Sequence, residues 1–156
     1  MILDEAKKKK AVEHIVYEIM MFNGTSIKLH SGIQDQFEIN TLLESFAVHS
    51  RNLFDFFYTE NRYKDDILAN DFIIKKKEFK SKRTKKRILE NLTNKANKQI
   101  AHLTYSRNNY NRSTKGWSVS AITKNMNKTI LSFLSCLELQ ERELFKDLYQ
   151  KYNLKV

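Results

Sequence analysis

The stretch Asn40–Tyr58, NTLLESFAVHSRNLFDFFY, constrains the fold more than any other part of the chain. Projected at about 100° per residue, Leu42, Leu43, Phe46, Ala47, Leu53, Phe54, Phe56 and Phe57 fall on one side. An apolar face of that width has to be buried against other elements. Three further stretches repeat the three- and four-residue spacing. Val12, Ile15, Val16, Ile19 and Met20 mark a first helix that starts near Asp4 and runs toward Leu29 or Ser31. Asn23-Gly24 could end or only bend it, and Ser31-Gly32 is the better stop. A third helix is expected over about Thr84–Tyr105, with Ile88, Leu89, Leu92, Ala96, Ile100 and Leu103 as its core face. The last starts at Trp117-Ser118, with Ser118 as N-cap, and carries Val119, Ile122, Met126, Ile130, Phe133, Leu134 and Leu137. Leu144, Phe145, Leu148 and Tyr152 continue in phase, so this is one very long helix or two with a break near Leu139–Glu141.

Turn chemistry agrees. The 156 residues include no proline and only three glycines, too few turn formers for a β-sandwich or a doubly wound α/β fold. The expected architecture is all-α: a single domain over 1–156, built as a four-helix up-and-down bundle with a long C-terminal helix. Thr59–Lys82 is less regular: Asp65–Ala69 suits a short helical turn and Asp71–Ile74 an extended segment. Residues 106–116, SRNNYNRSTKG, read as a polar loop. If the tail projects beyond the bundle, its apolar residues need a cover, and a second copy of the chain, forming a homodimer, is the simplest one.

The net charge is +10, but Lys75–Arg87 concentrates most of it. Lys75, Lys76, Lys77, Lys80, Lys82, Arg83, Lys85, Lys86 and Arg87 stand against one acid, Glu78, and the rest of the chain is close to neutral. Such a run suits RNA or another acidic partner; the plainer reading is a solvated, mobile connection. The single cysteine, Cys136, excludes an internal disulfide framework, and the scattered histidines give no metal-ligand spacing. No cofactor or metal is expected. The amino terminus is charged too early and too often for a signal peptide, and no apolar run approaches a membrane span, so a cytoplasmic protein that does not enter the membrane is expected.

Two histidines sit at comparable points of the second and third helices. His49 lies inside the apolar arc of its helix, while Arg51 lies outside it with Asp55 one turn on. His102 lies at the edge of its core face, with Lys95 two turns away on the same side and Arg107 following. The layout of these helices, over about Asn40–Arg107, resembles the HEPN superfamily of all-α proteins from bacterial toxin–antitoxin, phage-defence and RNA-processing systems. Active members carry an Arg-x4–6-His motif near a dimer cleft, which implies metal-independent RNA cleavage. Here the positions preceding His102 at those spacings hold Asn97, Ala96 and Lys95 instead of arginine. The resemblance then implies His102 as acid or base, with Lys95, Arg107 or Arg51 on the phosphate oxygens and Asn97 and Asn52 as orienting amides. His49 is the structural member of the pair, buried against its own helix face and within reach of His102 across the bundle. A non-catalytic adaptor that binds nucleic acid or an acidic partner through Lys75–Arg87, or an oligomer serving only assembly, is the other reading.

Overall fold

The computed structural model describes residues 5–60, 63, 65–91, 105, 108 and 118–155. It is all-α, with no strand among the described residues. We label the helices α1 (Glu5–Leu29), α2 (Gln36–Tyr58), α3 (Lys76–Lys82), α4 (Lys86–Leu89), α5 (Val119–Ser135), α6 (Leu139–Leu144) and α7 (Lys146–Lys151), with a 3-10 turn at Ala69–Asp71.

α1 runs straight through Asn23-Gly24 and stops where Gly32 adopts φ +79°, a left-handed conformation that costs glycine nothing. α2 begins earlier than its apolar stripe, because Asp35 caps it: Oδ1 accepts the Glu38 N–H at 2.7 Å. α2 runs antiparallel to α1, since Phe22 stacks on Phe46 while Glu18 meets His49. α5 also runs antiparallel to α1, because contacts step along both helices in opposite order: Asn127 to Asn23, Thr123 to Ser26, Ser120 to His30. Of the third helix expected over about Thr84–Tyr105, only the beginning is described. Its described part is α4; Leu92, Ala96, Ile100 and Leu103 lie outside the described residues, as does the expected loop at 106–116 apart from Asn108.

Phe133 of α5 is the centre of the core. Its ring lies 5.4–6.4 Å from those of Phe56, Phe57, Phe72, Phe79 and Phe145, mostly edge to face. Rings prefer that arrangement because the positive edge of one meets the negative face of another. The Phe54–Tyr58 run is therefore core, as the stripe predicts. Two stripe positions differ. Met20 is 47 % exposed and Phe22 is buried in its place, and Ile88 is 54 % exposed while Leu89 is buried.

The C-terminal helix is long over Val119–Ser135, but the in-phase residues beyond it do not extend it. The chain turns at Cys136–Glu138 and again at Phe145. Burial decides this: Phe145, Leu148 and Tyr149 fold back onto this chain's own core, and the Tyr149 hydroxyl donates to the Leu134 carbonyl at 2.6 Å. Tyr152 closes a ring of three hydrogen bonds with two amides, each donor matched to one acceptor: Tyr152 Oη to Asn127 Oδ1, Asn127 Nδ2 to Asn23 Oδ1, and Asn23 Nδ2 to Tyr152 Oη. Buried polar groups satisfied in this way fix register, because a slip would strand all of them. The tail that would have needed a second copy to cover it is covered by its own chain. Ser118 stands at the N-cap position of α5 but its side chain makes no capping bond.

Candidate nucleic-acid interface

The basic segment is folded and pinned to the core. α3 sits over the phenylalanine cluster through Phe79, which is 1 % exposed. Before it, the 3-10 turn is closed by Asp71, whose Oδ2 accepts the Leu68 N–H at 3.0 Å, and Phe72 and Ile73 are buried. The extended segment expected over Asp71–Ile74 thus begins inside a turn and then packs inward; Ile74 itself is exposed. Behind α3, Thr84 is buried and all its polar groups are used. Its carbonyl accepts the Tyr58 hydroxyl at 2.7 Å, its N–H donates to Thr129 Oγ1 at 3.3 Å, and its hydroxyl donates to the Asn125 carbonyl at 2.9 Å. Burial pushes the Tyr58 phenol above its ordinary pKa, so it stays a donor.

The nine cations of the segment differ in what they do. Arg83 is half-buried: its guanidinium lies 4.5 Å from the Tyr58 ring centre and 5.3 Å from that of Phe79, and it donates to the Phe57 carbonyl. That carbonyl belongs to the last turn of α2, where helical carbonyls have no partner of their own. Arg83 therefore braces α2 against α3, and burial draws its pKa below the ordinary arginine value. Three lysines are paired: Lys80 with Glu60 at 3.0 Å, Lys82 with Glu78 at 2.5 Å and Lys75 with Glu138 at 3.5 Å. The Lys80 and Lys82 ammonium groups hold the Glu60 and Glu78 carboxyls below the usual glutamate range. Lys76, Lys77, Lys85, Lys86 and Arg87 are exposed and have no ion-pair partner among the described residues. Lys76, Lys77, Lys80 and Arg83 share one cleft. A second, open groove is lined by Lys82 together with Lys124 and Lys128 of α5.

Lys124 and Lys128 were not singled out by the sequence. Their signal was faint: two lysines one turn apart on a helix that contains no acid. That they face Lys82 depends on how α3 lies against α5.

The histidine-bearing residues are divided by the structure. His49 is buried, and its Nδ1 lies 2.7 Å from Glu18 Oε2, with Tyr17 edge-on at 5.7 Å. It faces α1, away from Arg51 and Asn52, which line a separate cleft with Asp55, Tyr63 and Asp66. The Arg51–Asp55 pair is present at 3.7 Å. Burial raises the Asp55 carboxyl pKa, with Asp66 adding to the rise and Arg51 and Lys86 opposing it. Lys95, Asn97, His102 and Arg107 lie outside the described residues, so the catalytic set and the His49–His102 approach do too. His30, which shows no partner in the sequence, bonds the Ser26 carbonyl through Nδ1 and the Ser120 hydroxyl through Nε2, both at 2.7 Å. Among the described residues, no three His, Cys, Asp or Glu side chains gather where a metal ion could sit, and no helix is long and apolar enough to cross a membrane.

Comparison with protein-family models, curated proteins and solved structures finds no match to this chain.

Proposed function

We propose that this is a helical RNA-binding protein of HEPN-like layout, with a role in bacterial defence or a toxin module, that takes the phosphate backbone on the surface built by Lys75–Arg87. One observation carries the binding part. A charge run that would be a solvated linker if unfolded is anchored by Phe79, Thr84 and Arg83, with five cations left without an ion pair among the described residues. Holding cations in place lowers the ordering cost that a flexible lysine tail meets on binding. The ammonium groups act as point charges, which suits phosphate contact without base readout.

The experiment is a fluorescence-anisotropy titration of a labelled RNA oligonucleotide at several salt concentrations. Binding should weaken linearly in log–log form, with a slope reflecting several released counterions. Salt-independent binding, or none at low salt, contradicts the proposal.

The HEPN resemblance adds a narrower reading: metal-independent cleavage by His102 with Lys95 and Arg107, in a homodimer. It rests on the resemblance alone. RNA incubated with purified protein in chelator should be cut, and His102→Ala should stop the cutting while binding persists; intact RNA under all conditions removes the enzymatic part.

A further inference from the structure

We infer that the groove between α3 and α5, where Lys82 faces Lys124 and Lys128, is a phosphate-binding site that carries the RNA interface onto α5; this rests on the RNA-binding reading above. Three features of the groove support it, and none depends on the Lys75–Arg87 run alone.

The first is tertiary convergence. Lys82 is more than forty residues from Lys124 in sequence, yet the three lysine side chains line one open depression with no acid in its lining. The second is unrelieved repulsion. Lys124 and Lys128 are one turn apart on the same helix face, an arrangement that disfavours the helix unless an anion sits between them. α5 supplies no such anion, because Val119–Ser135 contains no aspartate or glutamate. Neither lysine has an ion-pair partner among the described residues, and Lys82 gives Glu78 one contact while an ammonium has three donors.

The third feature narrows the ligand. The neutral polar groups in the groove are largely engaged elsewhere, with one Asn127 N–H left over. Asn127 Nδ2 donates to Asn23, Ser132 Oγ to the Lys128 carbonyl and Ser135 Oγ to the Ser132 carbonyl. A ligand therefore meets chiefly the lysine side chains, beside the exposed Leu131. That fits a repeating, densely charged phosphate backbone, and it provides no fixed donor pair for reading a base edge. Binding at this groove is sequence-independent.

The test is RNA affinity for Lys124→Gln/Lys128→Gln, measured beside Lys76→Gln/Lys77→Gln and wild type. The α5 variant should bind about 5- to 10-fold more weakly near 0.1 M salt. Its log–log salt slope should fall by about 1.4, the value for two phosphate contacts on a single strand. Its thermal midpoint should equal or exceed that of wild type, because a like-charge pair is removed, so lost affinity would not reflect unfolding. Lys124→Arg/Lys128→Arg should retain binding, and RNAs of unrelated sequence should lose affinity equally. If wild type and the α5 variant bind alike while the α3 variant is weakened, the groove is not part of the interface and the RNA-binding reading stands. If wild type binds no RNA, both fall. If a polyglutamate peptide displaces RNA at equal charge concentration, the site takes acidic protein and the inference is overturned.

Discussion

The chain has two lysine clusters that look alike as text and differ in three dimensions. Lys7–Lys10 forms four consecutive lysines in α1; Lys75–Arg87 carries nine basic residues over α3 and α4. The α1 cluster faces acid: Lys8 lies 3.5 Å from Glu141, beside a hollow lined by Lys9 and Glu141 of α6. The α3 cluster is backed by further cations, Lys124 and Lys128. Among the described residues one of the four α1 lysines is paired with an acid and three of the nine cations of the second cluster are, but the second cluster is extended by two further lysines from another helix. A charge run thus acquires meaning from the surface it is folded against, because a potential is the sum over all neighbours within about a Debye length.

The largest break in this comparison should come from beneath the second cluster. Phe79→Ala removes the buried ring that seats α3 and should cost about 3–5 kcal/mol of stability, with RNA affinity reduced as the cations lose their common geometry. Urea unfolding beside RNA titration checks both. An unchanged denaturation midpoint would show that α3 is not anchored as described.

Next in size is charge removal in place. Lys76→Gln/Lys77→Gln/Lys86→Gln should weaken RNA binding by about tenfold or more at moderate salt, through the loss of three phosphate contacts. The matching triple in α1, Lys7→Gln/Lys9→Gln/Lys10→Gln, removes as much formal charge and should change affinity by less than about threefold. Equal losses from the two triples would mean that net charge alone governs binding.

Tyr58→Phe is a finer probe of the pinning. It deletes a hydroxyl 2.7 Å from the Thr84 carbonyl and 3.0 Å from Thr129, leaving the buried Thr84 carbonyl short of its donor, and should cost about 1–3 kcal/mol. The raised phenol pKa gives a sign for pH. The unfolded chain loses its tyrosine proton near pH 10, while the folded protein keeps it higher, so this contribution is present below about pH 10 and is lost as pH rises toward the folded value. Tyr58→Phe should lessen the alkaline loss of stability. The smallest effect belongs to the α1 cluster: Lys8→Gln breaks a partly exposed pair and should shift stability by less than about 1 kcal/mol.

Much of the fold was legible from periodicity. The α2 stripe and the burial of Phe133 and Leu134 follow from three- and four-residue spacing, and the stop near Gly32 from turn chemistry. Spacing failed where tertiary packing chose among equivalent readings. Phe145, Leu148 and Tyr152 are in phase with α5, but they gain more by folding back than by continuing outward. The register between α1 and α5, set by Asn23, Ser26 and His30 against Asn127, Thr123 and Ser120, rests on pairs nearly one hundred residues apart. Nothing local announces it. Of the candidate site, the position of the basic run could be read directly, and its division of labour could not. Arg83 looked like its neighbours until Tyr58 and the Phe57 carbonyl were placed beneath it. His49 was correctly placed inside an apolar face, but its Glu18 partner required the α1–α2 pairing.

Lysine footprinting by acetylation and mass spectrometry, with and without saturating RNA, tests the contrast between the clusters most directly. Lys76, Lys77, Lys85 and Lys86 should become protected on binding, while Lys7, Lys9 and Lys10 react as in the free protein. Protection at Lys7–Lys10, or uniform protection of both clusters, would contradict the account.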